Sequence, residues 1–222
     1  MTYQDVQRQN AQRTSALVVL RVAAMTSAAA PAPAMIGLLA PPIIAGATRA
    51  VLLADLGLAA WLTKRTDRPV PTIGLTLPTE TQDAITQGSE TIVSDFEEND
   101  DADELTMRAE RLANAAPLSA GQDAYQDAAE AHGLTAWVRK LTGPSDCSLC
   151  KHWADGKARP YSVKMSRHPG CDCVAEPVTP GEGWTGELIT GAGIAGKVTT
   201  YARPGLTFER SAFVGRQGGQ AA

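Results

Sequence analysis

Aromatic side chains are scarce, at 5% of 222 residues, although 44% of the chain is hydrophobic. With few large rings and much alanine, a core must come from helices that approach closely. Histidine occurs only three times, which excludes an all-imidazole metal site with a further histidine left for catalysis. No cysteine lies outside 147–173, so a disulfide framework spread along the chain is excluded. The apolar stretches are also interrupted. The stretch Ala16-Leu-Val-Val-Leu20 is cut by Arg21, and residues 34–62 are interrupted by Pro41, Pro42, Arg49 and Asp55. Neither a secretory leader nor a bilayer span is expected, and the clustered cysteines then sit in a reducing cytosol, where metal is favoured over disulfides. Glycine (20) and proline (14) fall far short of a collagen-like or fully disordered chain. The length suits one domain or two small ones.

Net charge is small, at −4, which argues against an obligate nucleic-acid binder. The total conceals segregation. Residues 1–68 carry seven basic and three acidic groups, +4, and residues 69–134 carry two basic and fourteen acidic groups, −12. Residues 135–168 carry seven basic and two acidic groups, +5, and residues 169–222 carry four basic and five acidic groups, −1. Blocks of this kind imply different surroundings for different segments.

The apolar period predicts a helix from Tyr3 to Ala29, with Val18, Val22 and Met25 on one stripe, ended by Pro31 and Pro33. A second helix is expected over 43–64, the pair forming a helical hairpin core whose Ala-rich faces also suit a docking partner. Residues 68–78 are too proline-rich for a helix or central strand and read as an extended connector. Seven carboxylates between Asp95 and Glu104 lack the sixth-position glycine and twelfth-position glutamate of a calcium loop, so they read as a solvated linker or helix start. A helix follows over 103–114, ended by Pro117. Ser119 and Gln122 fit a capping box that opens another helix reaching His132, with Gly133 as the interruption. Leu134, Trp137, Val138 and Leu141 then make an apolar patch leading into the cysteines.

Chemistry concentrates in Asp146-Cys-Ser-Leu-Cys-Lys-His152 and Arg167-His-Pro-Gly-Cys-Asp-Cys173, a C-x2-C followed after seventeen residues by H-x2-C-x-C. Two thiolates three positions apart can form one metal-binding knuckle, and the second run supplies ligands from the other side. The candidate ligands are Cys147, Cys150, His168, Cys171 and Cys173, and a tetrahedral site needs four of these five. On an extended segment Cys171 and Cys173 share a face and both bind; otherwise His168 replaces one of them. Four buried thiols or two disulfides would account for the cysteines without metal, but a structural Zn2+ suits the donors better. A zinc deaminase needs H-x-E and P-C-x-x-C, whereas this chain has Glu130-Ala-His132, the reverse order. His152 reads as a surface residue. Residues 144–180 hold few large apolar side chains, so a metal would replace the missing core, with Trp153 and Tyr161 packed around it.

Three runs taken together, Gly133-Leu-Thr-Ala-Trp-Val-Arg139, Gly143-Pro-Ser-Asp-Cys-Ser-Leu-Cys150 and His168-Pro-Gly-Cys-Asp-Cys-Val-Ala-Glu-Pro-Val178, resemble the C-terminal part of Mu-F-like phage minor capsid (minor head) proteins, the actinobacteriophage versions above all. The resemblance spans residues 119–180 and does not extend to 1–118. It implies a virion component present in multiple copies, carried in the head near the portal vertex, assembled in the host cytoplasm, and binding portal protein and/or major capsid protein. Packaged DNA is a further expected contact, at the 135–168 basic patch. The run Gly191-Ala-Gly-Ile-Ala-Gly196 has the dinucleotide-binding spacing, but Lys197 to Tyr201 reads as strand rather than helix, so a glycine-rich hairpin or arm is expected.

The expected architecture is mainly α. It comprises an Ala-rich helical arm (1–68), a Pro-rich connector and acidic segment (69–118), a helix plus a small zinc-stapled α+β module (119–180) and an extended Gly-rich tail (181–222). No catalytic or cofactor-binding residues and no membrane role are expected. The competing reading is a zinc-stapled nucleic-acid-binding or nuclease module, for which His132 and His152 would have to supply the base.

Overall fold

A computed structural model describes residues 2–142, 148–168, 171, 173–178, 188–189 and 195–196. The described chain is mainly helical with a small strand region. It forms two compact units, the first made of 1–128 with 166–172 and the second of 129–165 with 173–222.

The first unit begins with α1, Tyr3–Ser27, opened by a capping box in which Thr2 accepts from Asp5 N–H and the Asp5 side chain accepts from Thr2 N–H. Its buried stripe runs Gln7, Asn10, Thr14, Val18, Val22 and Met25, polar for its first half and apolar for the rest. The polar half works because α2, Ala32–Thr66, offers bare backbone opposite it. Asn10 Nδ2 donates to the Gly46 carbonyl at 2.9 Å, and Gln7 Nε2 donates to the Ala50 carbonyl at 2.8 Å. A Cβ at Gly46 would run into Thr14 Oγ1, and one at Gly57 would meet the Tyr3 ring at 2.6 Å. Glycine thus sets the close approach that the shortage of aromatics requires.

α2 starts eleven residues before the expected position and carries Pro41 and Pro42 inside it. Proline removes a helical donor, so the Leu38 carbonyl loses its bond from residue 42. Arg21 Nη1 replaces that donor from α1, at 3.0 Å. The charge that cuts the apolar stretch of α1 is therefore the partner that lets α2 run through its prolines. α2 is long and apolar enough to cross a membrane by length and composition, but 44% of its most apolar window is buried within the fold.

Residues 69–78 have no regular structure, in keeping with their prolines. They are tied down by Asp55, 2% exposed, whose carboxylate accepts from the amides of Ile73, Gly74 and Leu75 at 2.7–3.2 Å. Gly74 supplies the positive φ (83°) that this loop needs.

The acidic segment is not a linker. Its first half ends α3, Thr79–Asn99, which buries Ile85, Ser89, Ile92 and Val93. Asp100 closes α3 with a positive φ of 52°, and Asp101 Oδ1 accepts from the amides of Asp103 and Glu104, starting α4. α4 runs unbroken from Ala102 to Ala131 with Pro117 inside it, so the two helices expected over 103–132 are one. Gly133 (φ 77°) follows its end. Tyr3 stacks on Tyr125 of α4 at 4.9 Å, and its hydroxyl donates to the Gly121 carbonyl. Burial, and secondarily Tyr125, hold the Tyr3 phenol above its ordinary value, against a bond from Gln7.

In the second unit the expected apolar patch is a strand, β1, Ala136–Lys140. It is the middle of three antiparallel strands, with β2 (Arg159–Pro160) on one side and β3 (Val174–Pro177) on the other. Trp137 faces Pro177 in register, is 1% exposed, and donates from Nε1 to the Val163 carbonyl at 3.0 Å. Ala136, Ala158 and Val178 form one small apolar cluster, with Val138 against it, and Tyr161, Met165 and Val174 are buried as well. Leu188–Ile189 (β4) pairs antiparallel with Ala195–Gly196 (β5). The expected strand at 197–201, and nearly all of the expected extended tail, lie outside the described residues.

Candidate metal centre

Cys150 sits on the short helix α5, Ser148–Trp153, and is 3% exposed. Its helix ends on Trp153, over whose ring the Arg139 guanidinium lies at 5.1 Å from the centroid. Tyr161 is 2% exposed, and its amide donates to the Thr135 carbonyl. His152, on the same helix as Cys150, is exposed.

His168 and Cys171 each lie in neither helix nor strand. The Cys171 amide donates to the His168 carbonyl at 3.0 Å, a tight turn that puts the imidazole and the thiol at its two ends. The Sγ of Cys150, a ring nitrogen of His168 and the Sγ of Cys171 all lie within 4.8 Å of one another, close enough to hold a metal ion. Cys173, 1% exposed, lies just ahead of β3 and outside that group, and Cys147 lies outside the described residues. No disulfide joins Cys150, Cys171 and Cys173 among themselves. Two sulfurs and one imidazole make a soft-to-borderline donor set, suited to a thiophilic divalent ion rather than to calcium or magnesium.

The turn itself is held by α4. Arg167, next to His168, places Nη2 2.7 Å from both carboxylate oxygens of Asp123 and donates from Nη1 to the Ser119 carbonyl at 2.9 Å. Gln122 Nε2 donates to the carbonyl of Cys171 at 2.7 Å, in a buried bond. Gln122 is therefore not the capping partner expected of it, since Ser119 lies mid-helix. Sequence reasoning missed this grip because its partners are 44 to 49 residues apart. The available signal was Gln122-Asp123 on one helical face with an arginine directly before the H-P-G-C run.

Most of the 135–168 cations have partners. Lys140 pairs with Glu176 and Arg159 with Asp155, while Arg159 also lies 5.7 Å from the Trp137 ring centroid. Burial works against ionisation of Asp155, but the bonds from Arg159 and the Lys157 amide outweigh it and hold the carboxyl below its ordinary value.

Comparison with family models, with curated proteins and with solved structures finds no match.

Proposed function

We propose that this chain is a structural, metal-stapled virion protein of the Mu-F-like minor capsid kind, which binds portal protein and/or major capsid protein. The observation that carries the metal half of the reading is the convergence of Cys150, His168 and Cys171. The three sequence runs that resemble the family carry the virion half. Zn2+ is the ion assigned, because thiolate and imidazole donors at C-x2-C and H-x2-C-x-C spacing suit its tetrahedral sites. Cys147 and Cys173 are the remaining candidates for the fourth position. The role is structural: the second unit has only short strands and one six-residue helix among its described residues, and a metal adds folding free energy to what burial supplies.

Binding is supported by exposed leucines on the first unit. Leu20 is 69% exposed on α1, and Leu52 (54%) and Leu56 (58%) stand one turn apart on α2. DNA is the lesser contact in this reading, because pairing and stacking occupy Arg139, Lys140 and Arg159, while Lys151 is the exposed cation on α5.

Protein purified under reducing conditions should contain close to one zinc per chain by elemental analysis, and chelation should reduce the near-ultraviolet circular dichroism, to which Trp137 and Trp153 of the second unit contribute. Metal-free protein with that signal intact would remove the metal half. Absence of the chain from purified virions by mass spectrometry would remove the other.

A further inference from the structure

We propose that Gln122, Asp123 and Arg167 are positioning residues that set the His168–Cys171 ligand pair in binding geometry before the metal arrives. The inference rests on the reading of His168 and Cys171 as metal ligands and concerns how they are held. A pair of ligands on a turn without helix or strand has many geometries open to it, and fixing one at the moment of binding costs conformational entropy. Here the turn is gripped at both ends by one turn of α4.

Ser119, Gln122 and Asp123 stand at i, i+3 and i+4, on one face of a continuous helix. At the front of the turn, the Arg167 guanidinium reaches both Asp123 oxygens at 2.7 Å, the Ser119 carbonyl at 2.9 Å and Gln122 Oε1 at 3.4 Å. A planar guanidinium held at several points has one orientation, and His168 is the next residue. At the back, the carbonyl of Cys171 itself receives Gln122 Nε2 at 2.7 Å. The Gln122 amide thus spans the turn, accepting beside one ligand and donating to the other. A glutamate could not donate there, and a leucine could do neither. The arrangement does for the turn what outer-shell hydrogen bonds do for metal-binding histidines elsewhere: it orders ligands through groups that never touch the ion.

The test is the metal affinity of the full chain, measured for Zn2+ by competition with a chromophoric chelator and for Co2+ by its visible absorption. Gln122→Leu and Arg167→Lys should each weaken binding about 10- to 100-fold. The Co2+ spectrum at saturation should keep its wild-type shape, since no ligand is removed. Lys140→Ala, which breaks the exposed pair with Glu176, should stay within about twofold of wild type. Variants that melt at lower temperature, metal-free and loaded alike, with an unchanged dissociation constant would overturn the proposal. If either variant loses helix content, Asp123→Asn carries the comparison. It keeps an oxygen for Arg167 but not the charge, so weaker binding supports the proposal and unchanged binding overturns it. A wild-type chain that binds neither ion overturns the metal reading itself, an outcome distinct from a wild type that binds and variants that match it.

Discussion

At Gly46 and Gly37, two glycines of the same helix, the same substitution should have opposite effects. A Cβ at Gly46 runs into Thr14 of α1, whereas a Cβ at Gly37 meets nothing within 4 Å. Gly46→Ala should destabilise by about 1–3 kcal/mol through overpacking. Gly37→Ala should stabilise by roughly 0.5–1 kcal/mol through backbone entropy. Urea midpoints of the two variants check both signs. Asp155 provides the pH-dependent case. Its folded value is lowered, so its contribution is present above the ordinary carboxylate range and is lost as pH falls through the lowered value. Asp155→Asn should melt below wild type at neutral pH, by at most about 1 kcal/mol for a pair this exposed. The two melting curves should converge as pH drops below about 4. A gap that persists at the acid end would show that Asp155 acts through something other than its charge.

Among elements, the prolines decide what could be read from the sequence and what could not. Pro31 and Pro33 mark a true boundary, and α1 ends at Ser27 close to where the apolar stripe predicts. Pro41, Pro42 and Pro117 look alike in sequence yet lie inside helices. An isolated helix would break at such residues; here other parts of the fold hold it together. Arg21 is the visible case, donating to the carbonyl that Pro42 leaves without its helical partner. Arg21→Ala should therefore cost about 0.5–1.5 kcal/mol, and in a Pro42→Ala background, where the helix regains its own donor, that cost should shrink towards zero. A double-mutant cycle by chemical denaturation measures the difference. α3 was illegible for another reason. Its buried stripe is only Ile85, Ser89, Ile92 and Val93, interrupted by a serine and masked by carboxylates on the other faces. The Cys150, His168 and Cys171 group was legible because spacing along the chain is itself the chemical signal. Their support was not, because Gln122 and Arg167 take meaning only from residues far away in sequence.

For the molecule as a whole, the shortage of aromatics noted at the outset has a counterpart in each unit. The first unit uses glycine, alanine and a polar seam to bring helices together. The second gathers three short strands and the buried Trp137, with Tyr161 and Met165 buried beside smaller side chains. The proposed function assigns partner docking to the leucines left exposed on the first unit. Leu52→Ser with Leu56→Ser should leave the melting temperature nearly unchanged, since both side chains are more than half exposed. If the proposed virion reading holds, the same double variant should lose co-purification with portal or major capsid protein; undiminished co-purification would show that this face is not the docking surface.

The Asp55 clasp has a consequence for proteolysis. A stretch of ten residues with no helix or strand is ordinarily where a protease cuts first, because its backbone can open into an active site. Here the amides of Ile73, Gly74 and Leu75 are bound to a buried carboxylate, and Pro69, Pro71 and Pro78 disfavour cleavage beside them. The connector should survive limited digestion as though it were a regular element, and one carboxylate in the middle of α2 accounts for that resistance.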